Sequence, residues 1–309
     1  MLKENDVLCA FGDSMTASGF WTAEVFESLA KYGIKVYNCG VAGDTAYDSM
    51  RRIYGDCLCY SPDYVTVMFG INDIGRDLYP YINDNPKKLE KTEFYMKRHK
   101  EYMEKVINTI EDFGAEVIVL TPPPYMEGTG FSSDDLNCSS AINECAENAR
   151  NLAKKFGCRL VDVNAAFNQI SDQKKIISND RIHPTLAGYH IIAQMFLKSI
   201  GLIDEMDGND EFEFSQINKE RMEADGYYKK LMYGEHDIVG KYCDENNIKL
   251  SFEEKRKCAL RKKDDPIKYI AECAKLYYDH AADIYDAKSE MIKKTAEMVS
   301  KLKNNGVNI

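Results

Sequence analysis

Val7-Leu8-Cys9-Ala10-Phe11-Gly12-Asp13-Ser14 is an unbroken apolar run that stops abruptly in a glycine, an acid and a hydroxyl. A strand that alternated between core and water would change polarity at every second residue. One covered on both faces does not, so residues 7–11 read as a buried strand. Similar short runs recur at 34–38, 64–69, 116–120 and 159–163. Between them lie helical patterns at 17–32, 45–59, 94–113 and 139–156, and another follows at 186–199. Strands alternating with helices predict an α/β fold on a parallel sheet. In such sheets ligands bind at the carboxyl ends of the strands, so chemistry is expected where the apolar runs end.

The texture changes near Asp204. No further strand-like run follows, and the segment is rich in Lys, Glu, Asp and Tyr. Ile270, Tyr277, Ile284, Met291 and Met298 recur every seven residues, which places them on one helical face. Two parts are therefore expected: an α/β domain over 1–203 and a helical extension over 204–309. The stripe could pack on the domain, overhang its pocket as a lid, or pair with a second copy in a homodimer.

The chain has 309 residues and a formal charge of -10. That charge disfavours nucleic acid and anionic membrane as partners, because both need basic surface. Ten cysteines invite a disulfide reading. The polar start, Met1-Leu2-Lys3-Glu4-Asn5-Asp6, has no apolar core of a secretory signal, and no stretch has the ~18 apolar residues of a membrane span. A cytoplasmic chain with reduced thiols is expected. No Cys-x-x-Cys occurs and Cys57-x-Cys59 has no nearby histidine, so neither a metal nor a cofactor is expected.

The strand ends carry the candidate chemistry. Ser14 closes the first strand and opens the first helix, where a serine can present its hydroxyl and a backbone N–H beside positive helix charge. It could equally be a helix cap. Asp13 reads as an acceptor within the turn. After the second strand, Gly40 would let backbone approach a ligand closely and offer a bare N–H, while Gly43-Asp44 reads as a turn and helix cap. After the third, Asn72 in Gly70-Ile71-Asn72-Asp73 could donate its amide to an oxyanion or simply form a turn. Asp180-Arg181-Ile182-His183-Pro184 follows the fifth strand. A catalytic histidine needs a carboxylate on Nδ1 to fix its tautomer, and a three-residue spacing in a tight turn supplies one. His99, His190, His236 and His280 all lie in helical patterns, where a satisfied or solvated role is expected.

Ser14, Gly40, Asn72 and His183 resemble the four residues that give the SGNH, or GDSL-type, hydrolases their name. The strings Gly12-Asp13-Ser14, Gly70-Ile71-Asn72-Asp73 and Asp180-x-x-His183-Pro184 look like that family's blocks in order, over roughly residues 5–200. Met15 stands where the GDSL name expects leucine. The resemblance implies a flavodoxin-like three-layer α/β/α fold with a five-stranded parallel sheet. It also implies a metal-free serine esterase working through an acyl-enzyme. Ser14 would be the nucleophile, His183 its base and Asp180 the orienting acid. The N–H groups of Ser14 and Gly40 and the Asn72 amide would hold the oxyanion. The substrate would be a small-molecule or carbohydrate ester, with O-deacetylation of carbohydrate leaned toward. Lipase, thioesterase and acyltransferase activities belong to the same family, and a non-catalytic binding module is the rival from another class. Tyr79, Tyr81, Tyr125 and Phe131, in the loops 76–88 and 125–137 expected to shape the pocket, suit stacking on a sugar, contact with a short acyl chain or loop anchoring.

Overall fold

All five apolar runs form strands in a computed structural model of the chain, which describes residues 2–81, 85–128, 137–209 and 212–214. They are β1 (Val7–Gly12), β2 (Lys35–Gly40), β3 (Tyr64–Met68), β4 (Glu116–Leu120) and β5 (Arg159–Val161). All pair in parallel in the order β2-β1-β3-β4-β5, the flavodoxin-like order. The helices are α1 (Ser14–Ala17), α2 (Phe20–Ala30), α3 (Ala46–Ser49), α4 (Ile53–Asp56), α5 (Pro86–Phe113), α6 (Ser139–Phe156), α7 (Val163–Gln169), α8 (Gln173–Ile176) and α9 (Leu186–Ser199). Helices α2 and α9 pack together, as do α5 and α6; with right-handed connections between the parallel strands, α2 and α5 fall on opposite faces of the sheet.

Two compact units divide the chain. One comprises Met1–Met50 and Pro62–Phe214 and carries the whole sheet. The other contains Arg51–Ser61, with α4 and a 3-10 turn at Leu58–Tyr60, where Arg52 and Asp56 pair at 2.6 Å. The remainder of the second unit, and with it the Ile270-to-Met298 stripe and any lid or dimer it might form, lies outside the described residues.

Element boundaries differ from the sequence reading for local reasons. The expected helix over 17–32 is two helices, because Gly19 adopts φ 84° between them. Helix α5 begins two turns earlier than its apolar periodicity. Asn85 caps it by accepting the Lys87 N–H, and Pro86 occupies its first turn. The fifth strand stops at Val161, since the Asp162 side chain accepts the Ala165 N–H and starts α7. The expected helix over 45–59 breaks into short turns.

The described start of the expected helical extension, 204–209 and 212–214, is irregular rather than helical. The Asp207 carboxylate accepts the Asn209 N–H, a local bond that competes with helix, and Gly208 stands between them. This segment is strapped to the core through His190. Its Nδ1 lies 2.9 Å from Glu24 Oε2 on α2 and its Nε2 lies 2.8 Å from Asp207 Oδ1. Gln194 Nε2 donates to Glu24 Oε1 at 2.8 Å, and Phe212 stacks on the imidazole. Desolvation lowers the His190 pKa, but its bonds to the two carboxylates outweigh that and raise it. The His190 bond holds Asp207 below its ordinary value. Burial raises the Glu24 carboxyl above its ordinary value, so the strap is complete only between the raised Glu24 value and the raised His190 value, and it is lost as pH rises through the latter. Replacing His190 with leucine leaves Glu24 buried with only the neutral Gln194 amide as a partner. It should cost roughly 3–5 kcal/mol, read by urea denaturation. A midpoint unchanged from the parent would show that the strap contributes nothing.

Candidate active site

Asp13 builds the first corner. Its carboxylate accepts the Met15 N–H at 3.0 Å and caps α1, as expected of a turn acceptor. The cap sets Ser14 as the first helical residue. Among the described residues the Ser14 N–H has no hydrogen-bond partner. Ser14 Oγ lies 2.8 Å from His183 Nε2.

The histidine sits on a tight loop between α8 and α9. Ser178 N–H donates to the His183 carbonyl at 2.9 Å, Arg181 N–H to the Ser178 carbonyl at 2.9 Å, and Ile177 bridges Pro184. One carboxylate organises this loop. Asp180 Oδ1 accepts from Ser178 Oγ at 2.6 Å, the Ile182 N–H at 3.0 Å and the His183 N–H at 2.9 Å. Its Oδ2 lies 2.5 Å from His183 Nδ1. Partial burial works against the charge, but the bonds from Ser178, His183 and the two amides hold the Asp180 carboxyl down to about 2. The three residues named from sequence are thus joined in one hydrogen-bonded chain.

The remaining corner departs from expectation. Gly40 packs directly beneath α1. A Cβ there would stand 2.4 Å from the Ala17 nitrogen and 2.7 Å from the Thr16 carbonyl carbon. Its N–H donates to Asn38 Oδ1 at 3.0 Å. Gly40 is a glycine because helix backbone crosses it, and its amide is already used, so it is withdrawn as an oxyanion donor. Gly43 stands three residues on, exposed, at φ 75°. Its N–H has no hydrogen-bond partner among the described residues. Asn72 Nδ2 donates one hydrogen to the Asp44 carbonyl at 3.0 Å, which fixes the amide beside Gly43 and leaves its second hydrogen to give.

Two further residues escaped the sequence reading. Ser178 bonds the orienting carboxylate. Arg181, 2 % exposed at φ 70°, accepts the Met126 N–H on its carbonyl and ties the histidine loop to the loop after β4. Nothing in the local string marks either one; a lone serine and an arginine beside a motif are ordinary surface residues until the fold turns the first onto Asp180 and buries the second.

Of the roles left open for the loop aromatics, loop anchoring is the one that burial favours for two of them. Tyr79 and Tyr125 are 9 % and 4 % exposed and belong to the apolar core, so they anchor their loops. Burial pushes the Tyr79 phenol up to about 12. Phe131 lies outside the described residues. No helix among the described residues is long and apolar enough to cross a membrane.

The chain is 29% identical over 177 residues to an acetylxylan esterase of Geobacillus stearothermophilus, covering 55% of this chain and 73% of that one. It is 23% identical over 208 residues to an acetylxylan esterase of Xylanibacter ruminicola, covering 63% of this chain and 42% of that one. The crystal structure of the Geobacillus enzyme Axe2 has a like fold. Its TM-score is 0.53 at 24% identity, over 64% of this chain and 95% of that one. Solved structures of that enzyme include catalytic mutants in which a serine, a histidine or an aspartate is replaced by alanine. The sequence pattern of the GDSL-like lipase/acylhydrolase family matches residues 10–191. With that match spanning more than half of its length, the chain belongs to the GDSL-like lipase/acylhydrolase family.

Proposed function

We propose that this serine ester hydrolase removes acetyl groups from carbohydrate, with Ser14 as nucleophile, His183 as base and Asp180 as its orienting acid. The observation that supports the roles is the unbroken chain from Ser14 Oγ through the His183 ring to Asp180, at 2.8 and 2.5 Å. Neutral His183 takes the Ser14 proton at Nε2 as Oγ attacks the ester carbonyl. The C–O bond to the sugar breaks, and the same proton passes to the leaving alkoxide. Water then repeats the sequence on the acyl-serine, releasing acetate. The ionised Asp180 accepts Nδ1–H, fixes the tautomer and steadies the imidazolium between the two transfers. The tetrahedral oxyanion is held by the N–H groups of Ser14 and Gly43 and by the free hydrogen of the Asn72 amide. Similarity to two acetylxylan esterases supports an acetylated sugar as substrate.

Acetate release from acetylated xylo-oligosaccharides, set beside aryl acetates, aryl butyrates, longer-chain aryl esters and acyl-CoA, tests the substrate. Turnover falling as the acyl chain lengthens, with acetate freed from the sugar, is the expected outcome. Preference for long chains or thioesters sinks the deacetylase reading. Separately, Asn72→Ala should lower kcat by roughly 100- to 1000-fold with a smaller change in KM. A change confined to thermal stability would make Asn72 a turn residue only.

A further inference from the structure

Directly beside Asn72 the structure holds a buried carboxylate–imidazole pair for which the mechanism has no use. Asp73 and His99 are 2 % and 1 % exposed. Asp73 Oδ1 lies 3.4 Å from His99 Nδ1, on helix α5. The same oxygen accepts the Ala46 N–H at 2.9 Å, and the Asp73 N–H donates to the Gly70 carbonyl at 3.0 Å. Asp73 Oδ2 and both ring nitrogens of His99 make no further hydrogen bond. Desolvation opposes charge on His99, but the Cys145 sulfur and the Asp73 carboxylate outweigh it and push its pKa up to about 10.

A buried carboxylate without its cation is strongly unfavourable, so the pair holds together or moves together. What it joins is informative. Asp73 is bonded in sequence to Asn72 and by hydrogen bond to Ala46, two residues beyond the Asp44 carbonyl that holds the Asn72 amide. The two loops that present Gly43 and Asn72 are thereby cross-linked twice, once by Asn72 itself and once by Asp73. His99 anchors the second link to a 28-residue helix. A link between loops alone could drift with both of them, whereas a link to a long helix packed on the sheet fixes their position.

We propose that His99 is a positioning residue: paired with Asp73, it sets the Asn72 amide where the oxyanion forms. The proposal rests on the esterase reading above. Misplacing a transition-state donor by about 1 Å costs up to ~100-fold. His99→Gln, which removes the charge and keeps a polar side chain, should therefore lower kcat on p-nitrophenyl acetate by ~10- to 100-fold. KM should hardly change, because the contact is made only in the transition state.

Thermal stability will fall whether or not the residue positions anything, so two other readouts decide. In an Asn72→Ala background the His99→Gln loss should shrink to under ~3-fold, since no amide remains to be misplaced. Full additivity of the two losses overturns the proposal. A crystal structure of His99→Gln should show Asn72 Nδ2 displaced from the Asp44 carbonyl, and an amide still 3.0 Å from that oxygen also overturns it. If His99→Gln does not fold, Asp73→Asn/His99→Leu keeps an acceptor for the Ala46 N–H and buries no charge. It keeps the link between the two loops but loses the anchor to the helix, so it should lower kcat ~10- to 100-fold with KM little changed, and a kcat equal to the parent's overturns the proposal. Because the crystallographic arm needs no turnover, a protein that hydrolyses no ester would defeat the functional reading alone.

Discussion

Replacing Ser14 with alanine should lower kcat by roughly 10^4- to 10^6-fold while leaving the protein folded. The size follows from what is removed. Without Oγ no acyl-enzyme forms, and the oxyanion donors can assist only direct attack by water. The intact fold follows from a separate observation. Helix α1 is capped by the Asp13 carboxylate, and the Ser14 hydroxyl contacts His183 across the site. Its loss therefore removes one part-buried hydrogen bond worth about 0.5–1.5 kcal/mol. Initial rates on p-nitrophenyl acetate and a urea melt measure both halves. Substantial residual activity on every ester tried would place the nucleophile elsewhere.

Asp180→Asn should cost about 10^3- to 10^4-fold in kcat, less than the loss for the serine but large for a substitution that changes one atom type. Asparagine can still present its oxygen to the Ser178 hydroxyl and the Ile182 and His183 amides, so the loop keeps its shape. Its NH2 then faces Nδ1 and turns that nitrogen into an acceptor. The proton moves to Nε2, where the base must be empty to take one from Ser14. Acid provides a second check on sign. The folded Asp180 carboxyl titrates near 2, below its ordinary value. Its contribution to stability is thus complete above the ordinary aspartate range and is lost only as pH falls toward 2. An Asp180→Asn enzyme with near-parental kcat would assign the orienting role elsewhere.

Much of this was legible beforehand, for identifiable reasons. Parallel strands covered on both faces leave continuous apolar runs, and each of those runs is a strand. Asp180 and His183 are three residues apart, so their contact is a property of one turn and survives in the string. What the string misassigned, left open or missed also shares a physical origin. Gly40 and Gly43 look alike on paper; which amide is free depends on helix α1 crossing the first and on Asn38 reaching it. Tyr79 and Tyr125 sit in loops, and only the packing of α5 and α6 tells an anchoring ring from an exposed one. Asp73 and His99 are 26 residues apart and belong to no shared motif, so nothing short of the folded chain brings them together.

The distance along the chain between the two ends of the catalytic bond has its own consequence. Ser14 Oγ and His183 Nε2 are 169 residues apart in sequence. At about 5–20 residues per second, a ribosome needs roughly 8–34 s to make what lies between them. For that interval a growing chain carries the serine without its base. It has no means to attack esters around it, nor to trap itself as a premature acyl adduct. Catalytic competence arrives in one late step, when the loop before α9 docks against a sheet whose serine-bearing strand, β1, was made first. In a timed translation reaction, esterase activity would report completion of the domain and would lag well behind any signal from its N-terminal half.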